Sequence, residues 1–229
     1  MLNCIPEKKK IFAFEQTLLN CELCKDKKKI SEACEKCRVW ISALQKYADA
    51  NIPIKYWNLQ MSNFVGDSVL SDKYNEITKD IKDTYCKGTT ICFAGSHGIG
   101  KTMTCANILK RVVEKGFSGI YLNLNDIITA FTSLDKNDAR QFLLTVDFLV
   151  IDEFDQRYIG SDNAADLFGR ILEDIVRIRV QNTLPIIICT NSVKVTDAFQ
   201  GSLKTSMVSL FNYFKIIPIL GNDLRVKGM

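Results

Sequence analysis

Residues 95–102 read Gly95-Ser96-His97-Gly98-Ile99-Gly100-Lys101-Thr102 and satisfy every fixed position of the pattern G-x-x-x-x-G-K-[ST]. Few short motifs constrain a fold as tightly. The glycines let backbone N–H groups crowd around phosphate oxygens, Lys101 would reach the β- and γ-phosphates, and the Thr102 hydroxyl would serve Mg²⁺. That chemistry requires a strand entering the loop and a helix leaving it, so that the helix N-terminus points at the anion. Both flanks comply. Residues 89–94 (TTICFA) form a short apolar run of strand character, and residues 103–114 have a helical pattern that starts at Met103. A Gly-rich turn matching by chance is the alternative, and the flanking elements argue against it.

Residues 148–153 (FLVIDE) are an apolar run ending in two carboxylates, as a buried parallel strand would be. Asp152 would hold the Mg²⁺ shell and Glu153 would polarise an attacking water. A helix N-cap is the plainer role for Asp152. A third strand spans 184–191, with Pro185 confined to its first residues and Asn191 at its carboxyl end. Such ends open onto the ligand crevice of a parallel sheet, so Asn191 would touch the γ-phosphate or the water. A turn residue closing the strand explains Asn191 equally well. Further strands are expected at 120–124 and 214–220, and a long amphipathic helix at 164–180. This alternation implies an α/β fold, a parallel sheet flanked by helices.

The rest of the chain is read from its cysteines. Four of nine follow Cys21-x2-Cys24, nine intervening residues, then Cys34-x2-Cys37. Paired C-x-x-C knuckles favour one tetrahedral thiolate site for zinc; an iron–sulfur cluster is the rival and free thiols the bland reading. Cys4 is a weaker candidate ligand, while Cys86, Cys92, Cys105 and Cys189 read as buried and inert. His97, the sole histidine, lies in the phosphate loop and reads as a tolerated variable position. Three regions follow: a small metal-stapled N-terminal module (1–46), a connector (47–88) and a nucleotide-binding domain (89–229). Within them, 31–47 and 71–83 are expected helical, and 52–57 extended because Pro53 disfavours helix before it. A net charge of +4 permits nucleic-acid contact without demanding it. No run of apolar residues is long enough for a membrane span and no secretory leader is evident, so a cytoplasmic location and no membrane partner are expected.

The ordered set of motifs resembles the AAA+ ATPases, within them the DnaC/DnaI-type helicase loaders and their IstB-like transposition relatives. It is carried by the phosphate loop, the Asp152-Glu153 strand end and the 185–191 strand. More specific are Cys34-Glu35-Lys36-Cys37-Arg38, Ala50-Asn51-Ile52-Pro53-Ile54-Lys55-Tyr56-Trp57, Phe64-Val65-Gly66-Asp67 and Gly221-Asn222-Asp223-Leu224-Arg225. The resemblance implies an AAA+ core behind a zinc module, with ATP, Mg²⁺ and Zn²⁺ as cofactors. It makes Asn191 sensor 1 and Arg225 the sensor 2 arginine on the γ-phosphate. It implies a replicative DNA helicase and single-stranded DNA as partners, and a homo-oligomer formed with ATP or partner. The family's arginine finger near the start of the last helix is missing: 207–211 read MVSLF, and Lys204 is the nearest upstream cation. Arg170, Arg177 and Arg179 could act across a subunit interface, or form a solvated face, the reading favoured here. A nucleotide-gated adaptor without appreciable hydrolysis and a transposition ATPase remain the alternatives to a loader.

Overall fold

The computed structural model describes residues 5–27, 29–132, 136–155, 162–195 and 201–224; for 128, 131, 132, 136, 162–168, 170, 201–203, 206 and 207 it describes the backbone only. Five strands, β1 (Thr90–Ala94), β2 (Gly119–Asn123), β3 (Phe148–Asp152), β4 (Ile186–Thr190) and β5 (Lys215–Pro218), form one sheet in the order β2-β3-β4-β1-β5. Every pairing is parallel, for example Thr90 with Ile186 and Gly119 with Phe148. The helices are α1 (Glu7–Leu19), α2 (Glu35–Asp49), α3 (Ser68–Lys79), α4 (Ile81–Cys86), α5 (Lys101–Glu114), α6 (Leu124–Thr132), α7 (Lys136–Thr145), α8 (Asp162–Gln181) and α9 (Gly201–Phe211). Among the described residues, no helix is long and apolar enough to cross a membrane.

The central strands are buried on both faces, which is why they read as unbroken apolar runs. Their side chains alternate between two cores. Ile91, Phe93, Phe148, Val150, Ile187 and Cys189 face the layer that holds α5. Cys92, Ala94, Leu149, Ile151, Ile186 and Ile188 face the layer with α8. The first core extends without a break through Trp57, Tyr47, Leu44 and Ile41 to Cys37, Leu18 and Phe14. Polar contacts fasten the same junction. The Tyr121 N–H donates to Ala50 O (2.8 Å), Asn51 Nδ2 donates to Tyr121 O (2.9 Å), and the Tyr47 hydroxyl donates to Glu114.

Several local expectations change. Residues 52–57 are not extended: Pro53 opens a 3₁₀ turn, Ile54–Tyr56, closed by the Tyr56 N–H on Pro53 O (2.9 Å). The single helix expected at 71–83 is two. Asp67 caps α3 by accepting from the Val69 N–H, and Asp80 breaks the run with extended backbone and caps α4 through the Asp83 N–H. The first helical residue after the phosphate loop is Lys101, two before Met103. Cys86 is exposed rather than buried, whereas Cys92, Cys105 and Cys189 are buried as expected.

Arg179 overturns both readings offered for it. It is fully buried, and its guanidinium donates to Leu143 O (2.7 Å), Val146 O (2.8 Å), Asp147 O (3.1 Å) and Pro185 O (2.8 Å). Burial pulls its pKa down to about 10, so it stays charged at neutral pH. It pins the α7–β3 turn to the start of β4. A lysine cannot span four carbonyls with one ammonium, so Arg179→Lys should cost roughly 2 kcal/mol and lower the melting temperature by roughly 4–8 °C. A thermal melt with an unshifted midpoint would contradict this. Arg177 is held within the chain by Glu173 (2.6 Å) and the Tyr213 hydroxyl (3.0 Å), and the Arg170 side chain lies outside the described residues.

Candidate nucleotide site and cysteine cage

β1 delivers the chain to Gly95 at the carboxyl edge of the sheet, and the loop turns back through Gly98 (φ 75°) and Gly100 (φ 98°) into α5. Both are left-handed conformations in which a side chain would be strained. Gly100 is the N-cap of α5 and no side chain caps the helix, so the first-turn N–H groups are left for an anion. Lys101 is buried. Its ammonium donates to Gly95 O (2.8 Å), Ser96 O (2.6 Å) and Asn191 Oδ1 (3.2 Å). Ile99 anchors the loop in the core, Ser96 and His97 are exposed, and Met103 is half-buried.

Pairing of β1 with β4 and of β4 with β3 brings the three motif-bearing strand ends together. The Thr102 hydroxyl donates to Asp152 Oδ2 (2.8 Å), so two hard oxygen donors stand side by side as Mg²⁺ requires. The Tyr121 hydroxyl donates to the same oxygen, and the Glu153 N–H donates to Asp152 Oδ1 (2.9 Å). Asp152 is buried, and the structure gives it these three donors rather than a helix cap. Glu153 follows with a left-handed φ of 52°, a conformation that costs a non-glycine residue energy. Desolvation and then the Asp152 charge raise its pKa above the ordinary carboxylate value, against an opposing pull from Lys55 and His97. Arg225 lies outside the described residues.

Sequence reasoning missed Tyr121. Its signal was present in β2, where a tyrosine stands two register steps, and so on the same face, from the Asn123–Asp152 pair. It also missed that the loop is walled by distant segments. The Phe64 ring fills the space a side chain on Gly100 would need, its nearest atom 2.4 Å from a Cβ there. Beneath the site the Cys105 and Cys189 sulfurs approach to 3.0 Å.

The second constellation is the cysteine cage. Cys21 and Cys24 lie in the turn after α1, Cys34 is the N-cap of α2, and Cys37 is in its first turn. Their four sulfurs lie within 4.8 Å of one another, with Cys21 and Cys34 at 3.9 Å. Zinc–thiolate bonds of about 2.3 Å place tetrahedral sulfurs roughly 3.8 Å apart, so the cage fits zinc. The Cys34 N–H donates to Cys24 Sγ (3.2 Å), as a thiolate ligand favours. Cys4 lies outside the described residues.

A phosphate loop between β1 and α5, a carboxylate pair at the end of β3 and a polar residue after β4, on an all-parallel sheet of this order, define the P-loop NTPase fold. The model of the family described as Novel STAND NTPase 3 matches residues 74–214, and the chain belongs to that family. Among solved structures, the fold resembles DnaI (TM-score 0.59, 16% identity, 75% of this chain and 93% of that one). It also resembles the DnaC helicase loader (0.55, 18%, 73% and 99%). A replication initiator DnaA bound to AMPPCP and single-stranded DNA matches similarly (0.58, 20%), over 73% of this chain and 50% of that one. No curated protein matches the chain.

Proposed function

We propose that this protein binds ATP with Mg²⁺ at the 95–102 loop, hydrolyses it, and uses the cycle to load or remodel a replicative helicase on single-stranded DNA. The observation that carries the reading is the meeting of Thr102 with Asp152 at 2.8 Å and of Lys101 with Asn191 at 3.2 Å, across three different strand ends. The N–H groups of Gly98 to Thr102 would receive the phosphates, Lys101 would swing from its loop carbonyls to the β- and γ-oxygens, and Thr102 and Asp152 would hold the metal. When bound, Mg²⁺ neutralises charge that builds on the phosphates. Glu153 would accept a proton from the attacking water, and its raised pKa strengthens it as a base. Asn191 would orient that water or the γ-phosphate. The replication role rests on the fold shared with DnaI, DnaC and DnaA.

Steady-state ATP hydrolysis, with and without single-stranded DNA, tests the reading. Wild-type protein should turn ATP over faster with DNA. Glu153→Gln should keep ATP affinity and lose on the order of 10²-fold in turnover, because proton transfer fails while the metal ligands survive. Nucleotide binding without turnover under either condition would favour a second reading, an adaptor that ATP only orders. The arginine-free sequence of 207–211 is what favours it, since a missing finger costs orders of magnitude in rate. A transposition ATPase shares the core, and the cysteine cage counts against it.

A further inference from the structure

Tyr121 reaches Asp152 from the neighbouring strand. β2 pairs with β3 in parallel register, Tyr121 opposite Val150 and Asn123 opposite Asp152. Residues two apart on a strand share a face, so Tyr121 and Asp152 both serve the layer that holds α5. There the Tyr121 hydroxyl donates to Asp152 Oδ2, the oxygen that also accepts from Thr102 (2.8 Å). A phenol is protonated at neutral pH and has one hydrogen to donate. The residue is held firmly. It is buried, and β2 is the edge strand of the sheet, where the end of α2 and the connector take up the Tyr121 backbone. Its N–H donates to Ala50 O (2.8 Å) and its carbonyl accepts from Asn51 Nδ2 (2.9 Å).

A carboxylate can turn about its two side-chain bonds, and a metal site needs it to stand still. Mg²⁺ demands near-octahedral geometry, so a ligand oriented in advance binds it better than one that must first be ordered. The Glu153 N–H holds Oδ1 (2.9 Å), and the two hydroxyls hold Oδ2. Thr102 opens α5 and would have to share its oxygen with the metal. Tyr121 comes from a different element and holds Asp152 independently of the phosphate loop. We propose that Tyr121 is a positioning residue for the metal: its hydroxyl fixes Asp152 beside Thr102 and so sets the affinity of the site for Mg²⁺, not for the phosphates. The inference rests on the nucleotide reading above. A hydroxyl donor also draws charge from the carboxylate, which works against the metal. Removing such an outer partner ordinarily costs about 10–100-fold in metal affinity, so orientation outweighs the charge withdrawn.

The test is calorimetric titration of the full chain with a non-hydrolysable ATP analogue, first in chelator and then across a series of free Mg²⁺ concentrations. Tyr121→Phe removes one oxygen and keeps the ring in the core. It should bind the analogue in chelator as wild type does, and need about ten-fold more free Mg²⁺ to reach half of its metal-dependent gain. Ile120→Ala, in the core on the opposite face of β2, is the control for mere loosening of the strand. It should lower the melting temperature and leave the Mg²⁺ midpoint at the wild-type value. An unshifted or lowered midpoint in Tyr121→Phe overturns the role of Tyr121 and leaves the nucleotide reading intact. So does an equal shift in Ile120→Ala, or a loss of binding by Tyr121→Phe in chelator, since either makes the residue one of general stability. Wild type that binds the analogue with no dependence on Mg²⁺ overturns the metal assignment and this inference with it. Wild type that binds no analogue under any condition overturns the nucleotide reading itself.

Discussion

Lys101→Ala should abolish measurable ATP binding, a loss on the order of 10³-fold, while the protein stays folded. The reasoning starts from where the ammonium is. It is buried at the start of α5, within reach of the loop and of β4, and it is satisfied by two carbonyls and the Asn191 side chain. Its carbonyl partners lie in the loop itself, so the cation can pass to a phosphate without moving the backbone. Alanine removes the one buried cation seen to contact the loop among the described residues. It leaves a polyphosphate facing Asp152 and Glu153 with the backbone N–H groups and the metal, but without its lysine, to offset its charge. The Ser96 carbonyl belongs to an exposed residue, whereas the Gly95 carbonyl is buried and loses a partner, so the fold should lose about 1–3 kcal/mol and remain folded. Titration with ATP, beside a thermal melt, separates the two effects. A variant that binds ATP like wild type would remove the phosphate loop from the mechanism. One that fails to fold would make Lys101 a structural clamp instead.

What the sequence disclosed here, and what it hid, follow from the range of the interactions. The phosphate loop, Asp152, Glu153 and Asn191 were legible because each lies at a strand end and the strand patterns are local. Parallel pairing then had to bring those ends together, since their order in the chain and the burial of the strands left few other topologies. Tyr121 and Phe64 were not legible as contacts. Each reaches the site from an element whose placement depends on packing across the whole domain, and no periodicity encodes that. Arg179 is the sharpest miss. An arginine on an amphipathic helix reads as solvated, yet four carbonyls converging at the ends of α7, β3 and β4 are met by one planar multidentate donor. Asp80 was a milder one: an N-cap aspartate inside a run that otherwise keeps helical spacing.

Stripping the cysteine cage should melt the N-terminal module and spare the nucleotide site. The purified chain is expected to carry about one zinc per molecule and no visible absorption band, which separates zinc from an iron–sulfur cluster. Structural zinc sites in small peptides contribute about 10 kcal/mol or more, and α1 has little else to replace that. Its buried side chains are Lys10, Phe14 and Leu18, against α2 and the cage. Cys34→Ser should therefore release the metal and expose the chain up to about Trp40 to proteolysis. α2 is the critical element, because it belongs to both parts. Cys37 and Ile41 serve the cage end, while Leu44, Tyr47 and Ala48 join the core beneath α5 and β2, where Tyr47 meets Glu114 and Ala50 meets Tyr121. If the second set is sufficient, hydrogen exchange will show protection lost before residue 40 and retained after 44, with ATP affinity unchanged. If ATP affinity falls with the metal, the cage is holding the P-loop helix through α2. The division into a module at 1–46 and a separate nucleotide domain would then be wrong, and a partner bound at the cysteines would have a direct mechanical route to the phosphate loop.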